Sequence, residues 1–193
     1  MYILQPLQQK LKTLISFVPE ITETLRVCQA VGMPNFYLAG GAITQVIWND
    51  NLGRALTDGI KDLDIIYFDD GLLTQESLFR ERVSQNLTHS IEIDVKNQAQ
   101  LHIRYPDKFG CTIPAYIKVE QGINSWLSAF AIGVTFDCKD RLKIYAPYGL
   151  EDAFNMVVKP NKVAMIEANY LKMTKSYLAR WPQITVVPWS GVN

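Results

Sequence analysis

Gly40 and Gly41 stand between a short apolar run, Phe36 to Ala39, and a helical stretch through Val46, Ile47 and Trp48. A chain turns this abruptly from strand to helix only where its backbone is free, so the pair marks a tight strand-to-helix step. The amides exposed at such a helix start carry partial positive charge and favour phosphate. Thr44 places a hydroxyl donor one turn in. Read alone, the step is equally a turn that needs glycine only for its backbone angles.

The acids downstream narrow the choice. Asp62 to Phe68 alternates as a strand does, so Asp62 and Asp64 share one face while Leu63, Ile65 and Tyr67 share the other. Two carboxylates side by side repel, and a divalent cation between them offsets the repulsion. A bare Asp-x-Asp is also compatible with a solvated strand start. Ile91 to Val95 alternates again, with Glu92, Asp94 and Lys96 on one face. If the two strands pair, Asp94 reaches the Asp62–Asp64 site. Three acids around two Mg²⁺ ions, opposite a phosphate-binding helix start, is the arrangement that two-metal phosphoryl transfer requires.

Around this centre the pattern predicts an α+β fold, a small mixed sheet with flanking N- and C-terminal helices, because strands and helices mix without regular βαβ alternation. One domain is expected over residues 1–193, with a helical part at 1–35, a core at 36–160 and a C-terminal helix and tail at 161–193. The first two helices are expected to end near Pro19 and near Gly32. Leu72 to Leu87 reads as helical, and Asn97 caps a helix reaching Tyr105, where Pro106 stops it. Ala129 to Phe136 and Arg141 to Ala146 form a hairpin. Gly149 to Phe154 starts a short helix. Asn161 caps a long one, with Val163, Ile166, Tyr170, Met173 and Tyr177 as its inner stripe, and the tail after Pro182 is irregular.

Composition removes several alternatives. The three cysteines, Cys28, Cys111 and Cys138, are scattered, and His89 and His102 are the only histidines, so neither a disulfide framework nor a zinc cage is expected. A metal here is a hard, carboxylate-bound ion such as Mg²⁺. No charge-free apolar run approaches the ~20 residues of a membrane span. The N-terminus lacks the pattern of a signal peptide, which points to the cytoplasm and to no membrane partner. Net charge is zero, unlike a protein whose main task is coating nucleic acid. The stretch from Lys159 to Arg180 departs from that balance, with five cations against Glu167 alone. It is either the solvated face of an amphipathic helix or a platform for an anionic acceptor such as an RNA end.

Four stretches in order carry a resemblance: Leu38 to Ile43, Ile60 to Asp69, Asp94 to Ala99 with His102, and Ala146 to Asp152. Strand–Gly-Gly–helix, then Asp-x-Asp, then a later acid resembles the DNA polymerase β-like nucleotidyltransferase superfamily. Within it the chain is similar to bacterial nucleotidyltransferase-like proteins that resemble the head domain of CCA-adding enzymes. The resemblance implies metal-binding and catalytic roles for Asp62, Asp64 and Asp94, and assigns Gly40 and Gly41 to the triphosphate of an NTP. Thr44 stands where the CCA-adding enzymes carry arginine, and the segment from Gly41 to Asp62 is longer than theirs. The implied activity is Mg²⁺-dependent transfer of a nucleoside monophosphate from an NTP to a hydroxyl on an RNA end, a small molecule or a protein, with release of pyrophosphate. Two other readings stay open: a nucleotide-binding regulator without transfer, and a toxin–antitoxin-type enzyme acting on a macromolecular partner.

Overall fold

The computed structural model describes residues 4–71, 75–163 and 165–191. Two helices, α1 (Leu4–Ser16) and α2 (Pro19–Ala30), open the chain, and Pro19 sits at the first turn of α2, where its missing N–H costs nothing. Strand β1 (Tyr37–Ala39) feeds helix α3 (Gly41–Asn51). Then come β2 (Asp62–Tyr67), α4 (Glu76–Ser84), β3 (Glu92–Asn97) and α5 (Leu101–Phe109). The second half runs through α6 (Glu120–Asn124), β4 (Gly133–Phe136), β5 (Leu142–Tyr145), α7 (Glu151–Phe154), β6 (Val157–Val158), α8 (Glu167–Arg180) and β7 (Thr185–Val186).

Five strands form a mixed sheet in the order β3-β2-β1-β4-β5. β2 and β3 are parallel, joined through α4, and the other pairs are antiparallel. This is the expected α+β architecture. One face carries Leu38, Leu63, Ile65, Tyr67, Val95 and Val134, all buried against Leu11, Ile15, Ile21, Leu25, Ile43 and Ile47 of the first three helices. The other face is apolar only at its centre, where Tyr37, Ala39 and Ile66 meet Val119, Ile123 and Ala131. The β2–β3 edge of that second face is left to charged residues.

Several boundaries differ from the sequence reading. The segment Leu72 to Thr74, expected to be helical, lies outside the described residues, and α4 begins at Glu76. Asn97 caps a 3-10 turn over Gln98–Gln100 that leads into α5, its Oδ1 accepting the Ala99 N–H at 3.1 Å. That helix continues through Pro106 to Phe109, however. Proline removes one N–H near the helix end, and Gly110, at φ +73°, closes the helix with its N–H on the Pro106 carbonyl. Asn161 does not cap α8. Its carboxamide N–H₂ donates to the Trp126 carbonyl at 2.7 Å and the Asn124 carbonyl at 3.0 Å, which pins it to another segment, and α8 begins at Glu167. Val163 and Ile166 are accordingly exposed, and the buried side of α8 is Tyr170 and Thr174 with Met173 and Tyr177 half-buried. The tail contains β7, paired parallel with β6.

Glu76 ties α4 to the end of β3. Its carboxylate accepts the Asn97 N–H at 2.7 Å and is ion-paired with Arg104. Burial opposes its charge, but the Arg104 guanidinium and the Asn97 amide outweigh it and hold the carboxyl below its ordinary value. The native state therefore favours the ionised form. The stability this supplies is complete above the unfolded-state pKa and is lost as pH falls through the lower, folded value. Glu76→Gln is expected to cost about 1.5–3 kcal/mol at neutral pH, the weight of hydrogen bonds to a charged group. Its acid limb in urea melts below pH 5 should be flatter than the native one; parallel limbs would remove Glu76 from the acid response.

Candidate active site

The Gly-Gly step occurs as expected, but the two glycines do different work. Gly40 sits at φ +76°, ψ −131°, and donates its N–H to the Ile132 carbonyl at 2.9 Å, so its amide is spent on the sheet. A Cβ on Gly40 would lie 2.6 Å from Cζ3 of Trp126, whose indole covers the turn. Gly41 is the first residue of α3, and its amide belongs to the helix turn whose N–H groups lack intrahelical partners. Thr44 does not face that turn. It is wholly buried, and its hydroxyl donates to the Ala129 carbonyl at 2.7 Å, with the Gly40 carbonyl at 3.3 Å. A hydroxyl so engaged is not a phosphate donor, so Thr44 fastens α3 to the chain entering β4.

Strand register brings the acids to this turn. Ala39, next to Gly40, pairs with Asp64, and Asp64 pairs on its other side with Asp94, while Asp62 pairs with Glu92. Residues paired across neighbouring strands share a face. All four carboxylates thus lie on the second face of the sheet, on β2 and β3, beside the N-terminus of α3. Asp62 is exposed, and Asp64 and Asp94 are half-buried.

Cations answer this charge from the chain itself. Oδ1 of Asp94 is 2.8 Å from Lys96 Nζ and 2.9 Å from an Arg80 guanidinium nitrogen. Among the described residues no three His, Cys, Asp or Glu side chains gather as a metal-holding group. The expected alignment of Asp62, Asp64 and Asp94 is therefore present in the backbone register, while the Asp94 carboxylate is turned to Lys96 and Arg80. An all-carboxylate set on one sheet face still fits a hard cation in its chemistry, with Asp62 and Asp64 on one strand and Asp94 beside them.

A cavity of about 150 Å³ lies at this point, lined by Gly40, Gly41 and Asp64 on one side and by Trp126, Met173 and Tyr177 on the other. Sequence reading missed this second wall. Tyr177 falls in the expected helix stripe, and nothing local to the sequence places α8 against the Gly-Gly turn. Burial pushes the Tyr177 phenol up to about 12, with Arg180 lowering it and Asp64 and Asp62 raising it. It is a neutral hydroxyl at pH 7. A larger hollow of about 700 Å³ lies at the other end of the strands, near Tyr37, Asp69, Glu120, Asp137 and Lys143. Three of its carboxylates are engaged: Glu120 accepts from the Tyr37 hydroxyl, Asp137 from Arg141 and Asp69 from the Gly71 N–H. The Gly-Gly turn and Asp64 line the smaller one.

His102, eight residues after the third acid, has its Nδ1 buried without a hydrogen-bond partner among the described residues. Of the basic stretch, Lys159 pairs with Asp152 at 2.7 Å, and Arg180 donates to the Gly59 carbonyl and lies over the Trp181 ring. Lys172 and Lys175 are exposed on α8.

A family profile described as nucleotidyltransferase matches residues 26–186. The chain belongs to this nucleotidyltransferase family. No curated protein matches it significantly. Among solved structures, it is similar to a protein whose NMR structure reveals a CCA-adding enzyme head domain. The two superpose with a TM-score of 0.78 at 20 % identity, over 93 % of this chain and 95 % of the other. That likeness establishes the nucleotidyltransferase head-domain fold. No helix among the described residues is long and apolar enough to cross a membrane.

Proposed function

We propose that the protein is a Mg²⁺-dependent nucleotidyltransferase that moves a nucleoside monophosphate from an NTP to a hydroxyl acceptor and releases pyrophosphate. The observation that carries this reading is the register Ala39–Asp64–Asp94, which sets the Gly40-Gly41 turn and two of the three acids side by side on one face. Asp62 and Asp64 would hold two Mg²⁺ ions, with Asp94 as the third ligand. Bound there, the ions lower the pKa of the acceptor hydroxyl and offset charge on the triphosphate. The first-turn amides of α3 bind phosphate oxygens, Asp94 orients the acceptor oxygen, and the neutral Tyr177 and Trp126 keep water from one side. The acceptor oxygen bonds to the α-phosphorus, the bond to the bridging oxygen breaks, and pyrophosphate leaves with that electron pair. The acceptor's proton passes to solvent. An NTP substrate and a cytoplasmic setting go together.

An RNA end is the favoured acceptor, ahead of a small molecule or a protein hydroxyl. The head-domain fold and the exposed Lys172 and Lys175 on α8 support it. Changing both lysines to Glu is expected to weaken acceptor binding without lowering the melting temperature. The native affinity should fall with added salt more steeply than the variant's, by about one unit of log–log slope or more for two lost phosphate contacts. Equal slopes would return α8 to a solvated face.

A regulatory, nucleotide-binding role is favoured by one observation, the hold of Lys96 and Arg80 on Asp94. One assay separates the two readings. The protein is incubated with Mg²⁺, each labelled NTP in turn, and fractionated cell extract. Label retained in a macromolecular or small-molecule fraction supports transfer and names the acceptor class. Binding without transfer to any fraction supports the regulator.

A further inference from the structure

Gln45 stands one helical turn after Gly41 and is only 7 % exposed, and its Oε1 is buried with no hydrogen-bond partner among the described residues. Buried polar atoms are nearly always satisfied, so an orphaned carboxamide calls for an explanation. Side chains on a helix lean toward its N-terminus, and this one reaches the helix start. Its Nε2 lies 3.1 Å from where a Cβ on Gly41 would be. The absence of that Cβ leaves the carboxamide beside the first-turn amides of an eleven-residue helix. Thr44 is turned away, and Gly41, Ala42 and Ile43 carry no polar side chain, so Gln45 is the polar side chain at this helix start. A neutral amide also suits the place: an arginine buried here without ligand would be an uncompensated charge.

We propose that Gln45 is a substrate-contacting residue of the nucleotidyl-transfer site. Its Nε2 donates to a phosphate oxygen held at the start of α3, and its Oε1 accepts from a hydroxyl or water that the same ligand carries in. This deepens the nucleotidyltransferase reading and rests on it. Gln45 then belongs to a set of groups arranged for a bound polyphosphate, at the cost of one unsatisfied atom when the site is empty.

That cost makes the test a crossing. Gln45→Met keeps the length of the side chain and removes both polar atoms; Gln45→Glu keeps the shape and sets a negative charge toward the phosphate. The probes are inorganic tripolyphosphate and each NTP, both with Mg²⁺, read by calorimetry, beside melting curves without ligand. Gln45→Met should melt at or above the native protein when empty, since an orphaned polar atom is gone. It should bind tripolyphosphate and NTP alike about 10–150-fold more weakly, the weight of one hydrogen bond to a charged group. Gln45→Glu should bind more weakly still. Unchanged tripolyphosphate binding in both variants would overturn the proposal, and so would a Gln45→Met that melts clearly lower with native affinity. Loss confined to the NTPs would move the contact to the base or sugar and overturn the phosphate assignment. If the native protein binds neither probe, the nucleotidyl-transfer reading itself falls, a result distinct from native binding that the variants leave untouched.

Discussion

Asp64→Asn is expected to reduce nucleotidyl transfer by about 10²–10³-fold, the loss typical of removing one preorganised electrostatic group from a centre where charge develops. Asp64 is the acid whose strand partners are Ala39, at the edge of the Gly-Gly turn, and Asp94, so it stands between that turn and the third acid. The same substitution separates a working site from an idle one without any acceptor. At NTP concentrations ~100 times Kd, with Mg²⁺, binding adds about 2.7 kcal/mol to the native protein. At ~2–4 °C per kcal/mol for a chain of this size, the native melting temperature rises by roughly 5–11 °C. Asp64→Asn should lose most of that rise. The comparison is made within each protein, with ligand against without, so a change in the empty protein's own stability does not enter it. If no NTP with Mg²⁺ shifts the native protein, the site is not a working nucleotide site.

What the sequence showed of this site was what local spacing can show. Alternation placed Asp62 with Asp64 and Glu92 with Asp94, and parallel pairing of the two strands then put all four on one face. The Gly-Gly step was legible for the same reason, since a strand, two glycines and a helix follow in direct succession. Long-range partners were not legible. Thr44 has the composition of a phosphate donor, and only the fold shows that the Ala129 carbonyl, 85 residues on, takes its hydroxyl. Asn161 has the signature of a helix cap, yet the carbonyls of Asn124 and Trp126 claim its amide. Lys96 was visible beside Asp94 in sequence, whereas Arg80 reaches it from another element. In each case a side chain with local hydrogen-bonding options was captured by a backbone group or charge distant in sequence, which periodicity does not encode.

Trp48→Ala is expected to produce the largest stability loss, about 3–5 kcal/mol for truncating a buried aromatic, or roughly 6–20 °C in melting temperature. Trp48 is 0 % exposed, and its indole N–H donates to the Ala153 carbonyl at 3.0 Å. Its ring meets Phe130 edge-on at 5.4 Å, Trp181 at 5.6 Å and Tyr177 at 6.1 Å, joining α3 to α8 and to the chain before β4. The substitution empties a space that three rigid rings cannot collapse to fill, and it removes one of the two hydrogen bonds to the Ala153 carbonyl. The damage should not stay in the core. Phe130 and Tyr177 stack at 4.5 Å and both line the cavity that holds Asp64, so loosening Trp48 frees that wall. Trp48→Phe keeps an aromatic ring and loses the N–H, and should cost about 0.5–1.5 kcal/mol for the lost hydrogen bond, since the Ala153 carbonyl keeps the Met156 N–H at 3.1 Å. The order expected in both urea and thermal melts is native, then Trp48→Phe, then Trp48→Ala. The melting rise with Mg²⁺ and NTP should shrink in the same order, because the ligand no longer meets a preformed wall. A Trp48→Ala protein that loses stability yet keeps the full ligand-induced rise would uncouple the aromatic cluster from the site and leave it with a structural role alone.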